Sequence, residues 1–337
     1  MVSTPPCLPK QFKPNCLLMS VMQPFVSVIV PCKKVDEYAK ECVEHCQKLD
    51  YGNYEVLLLP DDASGNVDGV RVISTGCVTP GKKRNIGIAN AEGEFCAFID
   101  SDAYPNKDWL RNAVKYFNDP MVAGVGGPGL TPEQDSFMQR ASGHVLSSFM
   151  VGGISSRYKA ERVYESDDVH SCNFIARKTV LKETGGWNER YWPGEDTLIC
   201  LAIKRQGKKL VEASDVVVYH HRRPLFAPHL KQVSRFGSHR GFFAKRFPEN
   251  SFKLTYFLPS LFVLFLFAGV FASFIYSFFL NILLLVIGAY LVLGLITVLF
   301  EVKEAKLLLS VWLGVIATHV VYGLSFLAGF VKRDLQR

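Results

Sequence analysis

The spacing of apolar residues changes near residue 254, and the two sides of that change predict two kinds of structure. Upstream, short apolar runs alternate with amphipathic stretches. Phe25-Val26-Ser27-Val28-Ile29-Val30-Pro31 is β-branched and closed by proline, which predicts a first strand. Val35–Leu49 places Ala39, Cys42, Val43 and Cys46 at helical spacing. Tyr54–Pro60 and Val70–Ile73 predict the next strands, and Pro80–Ala91, opening on Pro and Gly, predicts a helix. Phe95–Ile99 is an apolar strand that runs into Asp100-Ser101-Asp102. A helix over Trp109–Phe117 follows, then a strand grading into a Gly/Pro turn over Val122–Gly129. Gln134–Arg157 carries little motif content. Ser171–Arg177 and Val216–His221 read as strands, separated by a helix that opens at Gly194-Glu195-Asp196 and is capped by Gly207. This alternation predicts a parallel sheet with helices on both faces.

Downstream, no residue from Leu254 to Phe300 is charged. A spanning helix needs about 20 residues, so the run is long enough for two spans, with a turn expected at Ser277–Asn281. After the connector Glu301–Lys306, Leu307–Val331 predicts a third. His319 lies within it without an acidic partner in the span, and is expected to pack helices rather than relay protons. The expected division is an irregular, proline-rich arm over 1–24, a soluble α/β domain over 25–228, and an interface helix over 229–253. A transmembrane region over 254–331 and a tail over 332–337 complete it.

Charge sharpens the boundary. The net charge is +7, and Arg222–Lys253 concentrates Lys and Arg against one acid, Glu249. Phe226, Phe236, Phe242, Phe243 and Phe247 are interleaved, as in an amphipathic helix lying on lipid headgroups. Its place directly before the first span favours a membrane surface over nucleic acid. It also puts the soluble domain of a multi-pass cell-membrane protein on the cytoplasmic side. Three spans then leave Lys332-Arg333 outside, against the same rule; a re-entrant hairpin over Leu254–Phe300 removes the conflict. The nine cysteines form an odd set without a C-x-x-C pair, which points to reduced thiols rather than a zinc site or disulfide framework. No secretory signal is expected in the first residues, whose apolar patch Cys16–Met22 is too short for one.

The candidate chemistry starts at Asp100-Ser101-Asp102. Residues i and i+2 of a strand share a side, so both carboxylates could face one hard cation such as Mg²⁺ or Mn²⁺. Asp61-Asp62 is expected at the same edge, at the carboxyl end of a neighbouring strand, where open α/β sheets bind ligands. Lys82, Lys83 and Arg84 bring positive charge to a helix N-terminus, which suits a diphosphate. Glu195 and Asp196 stand in a helix first turn, where the macrodipole favours acids in any case. Neither G-x-G-x-x-G nor a P-loop pattern occurs.

In this order the residues resemble the family 2 glycosyltransferases of the GT-A fold. Val26–Pro31 is similar to the family's opening strand, and Asp61-Asp62-Ala63-Ser64 to its Asp-Asp-Gly-Ser turn. Lys83-Arg84-Asn85-Ile86-Gly87 with Ala91-Glu92-Gly93-Glu94 resembles the helix before the metal strand, and Asp100-Ser101-Asp102 the Asp-x-Asp motif. Gly185-Gly186-Trp187 with Gly194-Glu195-Asp196 resembles the acceptor-side segment. Gln232-Val233-Ser234-Arg235-Phe236 is similar to the Gln-x-x-Arg-Trp motif of polysaccharide synthases, with Phe replacing Trp. Cys32-Lys33-Lys34 departs from the usual Thr-Tyr-Asn, which leaves the nucleotide open.

The resemblance implies a Rossmann-like, mixed, mainly parallel sheet with flanking helices. An amphipathic interface helix and an all-α transmembrane region would follow. It implies an inverting transfer of one sugar from a nucleotide-diphosphate sugar to a lipid-linked or glycan acceptor. Asp196 would be the general base, with Glu195 as the alternative. Mg²⁺ or Mn²⁺ would sit on Asp102, with Asp100 assisting or holding ribose and His220 helping. Pro31, Asp61, Asp62 and Arg84 would line the donor site, and Gln232 and Arg235 would close over it. Membrane lipid is an expected partner and nucleic acid is not. A processive polysaccharide synthase is the alternative, and a non-catalytic nucleotide-sugar-binding membrane scaffold the second. The Phe236 departure and the position of every predicted span after the catalytic domain weigh against processive polymerisation.

Overall fold

The structure is a computed structural model that describes residues 23–62, 67–152 and 156–335. Most of the expected N-terminal arm, Ala63-Ser64-Gly65 after the Asp61-Asp62 turn, and the last two residues of the tail lie outside the described residues.

Among the described residues, eleven strands form two sheets: β1 (Val26–Pro31), β2 (Tyr54–Leu59), β3 (Arg71–Val72), β4 (Phe95–Phe98), β5 (Ala103–Pro105), β6 (Val122–Gly126), β7 (Gly129–Leu130), β8 (Tyr164–Ser166), β9 (Phe174–Arg177), β10 (Lys209–Glu212) and β11 (Val218–His220). The larger sheet has eight strands in the order β3-β2-β1-β4-β9-β6-β10-β8; the smaller is β5-β11-β7. β1 pairs in parallel with β2 and β4, while β9 runs antiparallel to both β4 and β6. The sheet is therefore mixed and mainly parallel, as expected. The catalytic-domain helices are α1 (Glu37–Cys46), α2 (Pro80–Asn90), α3 (Trp109–Val114), α4 (Phe137–Ser147), α5 (Phe149–Gly152), α6 (Lys178–Glu183) and α7 (Glu195–Arg205).

β1 is buried at every position, which is why it reads as a continuous apolar run rather than an alternating one. One face of the sheet packs on Ala39, Cys42, Val43 and Cys46 of α1 and Trp109 and Leu110 of α3. The other packs on Ile88 of α2, Leu181 of α6 and Ile199 and Ile203 of α7. The described cysteines are free thiols, and all but Cys77 are buried.

Several expectations need correction. Asp100 and Asp102 do not lie on a strand: β4 stops at Phe98, and the pair occupies the turn before β5. β2 and β4 are not adjacent, because β1 lies between them. In Ser171–Arg177 the first three residues form a 3₁₀ turn, and β9 begins only at Phe174. Val216–His221 contributes β11 to the smaller sheet rather than to the main one. Its pairing with β5 folds the end of the domain back over the Asp100–Asp102 turn.

The rest is helical: α8 (Ala227–Arg246), α9 (Pro248–Ser251), α10 (Leu254–Ser273), α11 (Ser277–Glu301) and α12 (Ala305–Val331). The last three are long and apolar enough to cross a membrane. The turn between α10 and α11 falls at Phe274–Tyr276, ahead of the expected Ser277–Asn281, and Ser277 already opens α11. The expected interface helix is α8 and α9 rather than one helix. Its apolar side (Val233, Gly237, Gly241, Phe242, Phe243) is buried in protein. His319 packs helices as expected, with Nδ1 on the Tyr290 hydroxyl at 2.8 Å and Nε2 on the Met150 carbonyl at 2.8 Å.

Candidate active site

The carboxyl ends of β2, β1 and β4 lie side by side at one edge of the larger sheet. Asp61 follows β2, and Lys83 from the first turn of α2 reaches it with Nζ 2.6 Å from Oδ1. Lys83 is only 3% exposed, and its ammonium also donates to the Leu59 carbonyl at 3.2 Å and Thr75 Oγ1 at 2.5 Å. Lys82, one residue earlier, points outward to Glu189 at 3.2 Å. A single helical turn thus carries one surface lysine and two buried cations.

The second buried cation is Arg84, which is 2% exposed. Its Nη1 donates to Glu195 Oε1 at 2.8 Å; its Nη2 donates to Asp100 Oδ1 at 2.7 Å and Ser171 Oγ at 3.0 Å. Its guanidinium lies over the Trp187 ring, 4.8 Å from the centroid. The planar, multi-donor guanidinium holds these three partners while its face lies on the ring. Arg84 therefore joins the strand carrying the Asp100 turn to the helix carrying Glu195.

Asp100, Asp102 and His220 each offer one ligand atom, all within 4.8 Å of one another. β11 creates this meeting: His220 pairs with Ala103, and the His221 amide donates to the Asp102 carbonyl at 2.9 Å. His220 Nε2 stands 3.2 Å from Asp102 Oδ1. Burial raises the Asp102 carboxyl, but His220 outweighs it and holds the group below its ordinary range. Burial lowers His220, and Asp102 together with the Cys172 thiol more than reverses this, taking it up to about 10. Two carboxylates and one imidazole at this spacing fit a divalent cation with oxygen and nitrogen ligands.

At the start of α7, Glu195 is 4% exposed, and burial pushes its carboxyl up to about 7 although Arg84 pulls the other way. Asp196 is half-buried, with Oδ1 accepting from the Thr197 amide at 2.8 Å. Burial and then the charge of Asp168 raise its pKa. Gly194 precedes the pair with φ +110, and a Cβ there would stand 2.6 Å from the Phe243 ring of α8. Backbone and space both require glycine at that point.

Sequence reasoning missed a second ion-pair cluster. Asp168 is buried and accepts from Arg157 Nη2 at 3.1 Å, Arg240 Nη2 at 2.9 Å and Thr197 Oγ1 at 3.2 Å. Burial raises it, but the two arginines outweigh this and hold it low. It also missed His221, set between Asp135 Oδ1 at 2.5 Å and Glu41 Oε2 at 2.9 Å. The doublet His220-His221 was the available signal, but its partners are remote in sequence.

The remaining expected residues are dispersed. Pro31 is the buried last residue of β1, paired with Leu59. Asp62 is exposed beside Asp61. Arg235 projects over the Trp192 ring at 5.8 Å, beside the loop entering α7, and Gln232 is half-buried one turn away. Among the described residues neither contacts Asp61, Asp100, Asp102 or His220.

Residues 27–185 match the family model "Glycosyl transferase family 2". A dolichyl N-acetyl-alpha-D-glucosaminyl phosphate 3-beta-D-2,3-diacetamido-2,3-dideoxy-beta-D-glucuronosyltransferase of Methanococcus voltae is 22% identical over 245 residues, covering 66% of this chain and 74% of that protein. Glycosyltransferase AglE of Haloferax volcanii is 25% identical over 236 residues, 65% of this chain and 74% of its own. Among solved structures, the mannosyltransferase PcManGT of Pyrobaculum calidifontis, in complex with GDP-Man and Mn²⁺, superposes with a TM-score of 0.60 at 19% identity. It covers 93% of this chain and 90% of that one.

Proposed function

The chain carries a family 2 glycosyltransferase domain, and from that premise we propose that it transfers one sugar, with inversion, from a nucleotide-diphosphate sugar to a lipid-linked or glycan acceptor. The carrying observation is that Asp100, Asp102 and His220 converge at the turn after β4 while Arg84 ties Asp100 to the residue before Asp196. Asp196 takes the proton of the acceptor hydroxyl as the sugar is displaced. Its raised pKa and incomplete burial suit a base that must meet substrate. Glu195, bound by Arg84 and almost fully enclosed, positions α7 instead. Asp100, Asp102 and His220 would hold Mg²⁺ or Mn²⁺, which when bound neutralises charge on the diphosphate leaving group. Asp61, fixed by Lys83, presents its free edge with Asp62 to the base and ribose, and Pro31 closes the strand beneath them. Gln232 and Arg235 line the acceptor side next to Trp192. The catalytic domain faces the cytoplasm of a multi-pass membrane protein, a reading supported by the basic stretch directly before the first apolar helix.

The test is a screen of nucleotide sugars with the detergent-solubilised protein and lipid-linked acceptors. The expected product carries one added sugar, and both chelation and Asp102→Ala abolish it. A long ladder of sugars per acceptor would overturn single transfer, and turnover unaffected by chelator would overturn the metal assignment.

A further inference from the structure

Length and composition allow three spans, but the attachment of the third apolar helix does not. α12 has 27 residues, about 40 Å of helix, enough to cross a bilayer with room to spare. Yet both of its ends are bonded to the catalytic domain. Just before it, Glu304 pairs with Arg140 of α4 at 2.7 Å; just after it, Asp334 pairs with Arg190 at 2.9 Å. The space between is also occupied by protein. Leu307, Val311 and Val315 are buried against Ala141 and Val145 of α4 and against Leu225.

Further along, α12 runs parallel to α8. Thr318 Oγ1 meets His229 at 2.9 Å and Ser325 Oγ meets Ser234 at 2.9 Å. Lys245 Nζ donates to the carbonyls of Phe330 and Lys332 at 2.8 and 2.6 Å. Glycines bring the two backbones together: a Cβ on Gly241 would stand 2.0 Å from the Phe326 carbonyl, and one on Gly329 would stand 1.9 Å from that of Ser238. α8 carries Lys231, Arg235, Arg240, Lys245 and Arg246. Each such charge costs roughly 2.5–3.5 kcal/mol at the centre of a membrane helix, so α8 stays out of hydrocarbon. A helix bonded along it shares its depth.

α10 and α11 behave otherwise. Lys253, before α10, pairs with Asp167 at 2.8 Å, and Glu301, ending α11, pairs with Lys159 at 3.1 Å. Both feet of this hairpin stand on the catalytic domain, while its tip exposes Phe274 (84%) and Tyr276 (66%).

We propose that α12 does not cross the bilayer but lies in the plane of its surface, beneath the catalytic domain. Only the α10–α11 hairpin penetrates the hydrocarbon, and Lys332 and Arg333 remain on the catalytic side. The partner of the outer face of α12 is the lipid interface itself. Leu309, Leu313, Leu324 and Val331 are exposed there to meet acyl chains. At its end a cleft of about 390 Å³ collects Arg190, Lys245, Arg246 and Arg333 against one carboxylate, Asp334, complementary to lipid phosphates. This placement also removes the conflict that three spans create with the positive-inside rule. It rests on the membrane reading above.

The experiment uses the full chain in sealed membrane vesicles with a membrane-impermeant maleimide. Cys7→Ser and Cys16→Ser leave exposed Cys77 as the reporter of the catalytic side. Arg333→Cys then reports the end of α12, and a flotation step checks membrane attachment. The expected result is labelling of positions 77 and 333 from the same side, each lost when that side is sealed. Labelling of position 333 only from the opposite side overturns the in-plane placement. A chain that fails to float with the vesicles overturns the membrane reading, and this inference with it.

Discussion

Two buried ion-pair clusters grip the start of α7 from opposite directions, and their compositions are reversed. On one side, the single cation Arg84 serves two carboxylates, Asp100 and Glu195. On the other, the single carboxylate Asp168 serves two cations, Arg157 and Arg240. The first holds residue 195 and the second holds residue 197, through the Thr197 hydroxyl. Asp196, the proposed base, lies between them and accepts from the Thr197 amide. The clusters also differ in what they connect. Arg84 links two layers of the catalytic domain, whereas Arg240 belongs to α8, so Asp168 links the α7 end to the helices beneath it. The difference teaches that the proposed base is held jointly from the turn after β4, through Arg84, and from α8, through Asp168.

The largest expected effect lies on the residue between the clusters. Asp196→Asn should lower kcat by roughly 10²–10⁴-fold with donor binding retained, measured by turnover and by nucleotide-sugar titration. If Glu195→Gln were the more damaging to kcat in a normally folded protein, the roles of the two acids would be exchanged.

Next come the clusters themselves. Asp168→Ala deprives two largely buried guanidiniums of their shared counter-ion and should cost roughly 3–5 kcal/mol, read from unfolding in detergent. Arg84→Met should cost less, roughly 1–3 kcal/mol, because Asp100 is partly hydrated and Glu195 can take up a proton. Equal losses would contradict the asymmetry.

The pH dependence sharpens it further. Glu195 is raised in the folded chain from 4.5 to about 7, so between those values the folded state binds more protons than the unfolded one. Its contribution therefore favours folding at the acid end of that window and is lost as pH rises through about 7. Glu195→Gln should flatten the stability profile over this range in thermal-unfolding measurements. The smallest effect belongs to the exposed pair Arg190–Asp334. Arg190→Gln should change stability by no more than about 1 kcal/mol and leave turnover intact.

Much of the first cluster was legible in the chain, and almost none of the second. Apolar runs marked β1, β2 and β4, the Asp-x-Asp pattern lay just past the end of β4, and Gly-Glu-Asp lay at the start of α7. Arg84 was flagged as part of a basic first turn, although which of three neighbouring cations was buried depended on helix phase against the sheet. Asp168 had no such marker. It follows a three-residue edge strand, and its partner Arg240 is 72 positions away in a stretch whose charge suggested lipid contact. Short strands such as β8 and β10 were missed because three or four residues cannot display a period. The turn at Asp100–Asp102 was read as strand because the apolar run gives no sign of where pairing stops. The smaller sheet, which brings His220 to that turn, depends on a long-range pairing that local pattern does not encode.

The glycine seam between α8 and α12 has a mechanical consequence. Where two backbones touch, no intervening side chains can repack, so with α12 placed in the interface as proposed, the separation of the proposed site from lipid would be a fixed stand-off. Bilayers of different thickness would then be accommodated at the hairpin tip, by tilt of α10 and α11 or by local lipid deformation, rather than at the site. The enzyme would carry its own gauge of acceptor height into any membrane it enters.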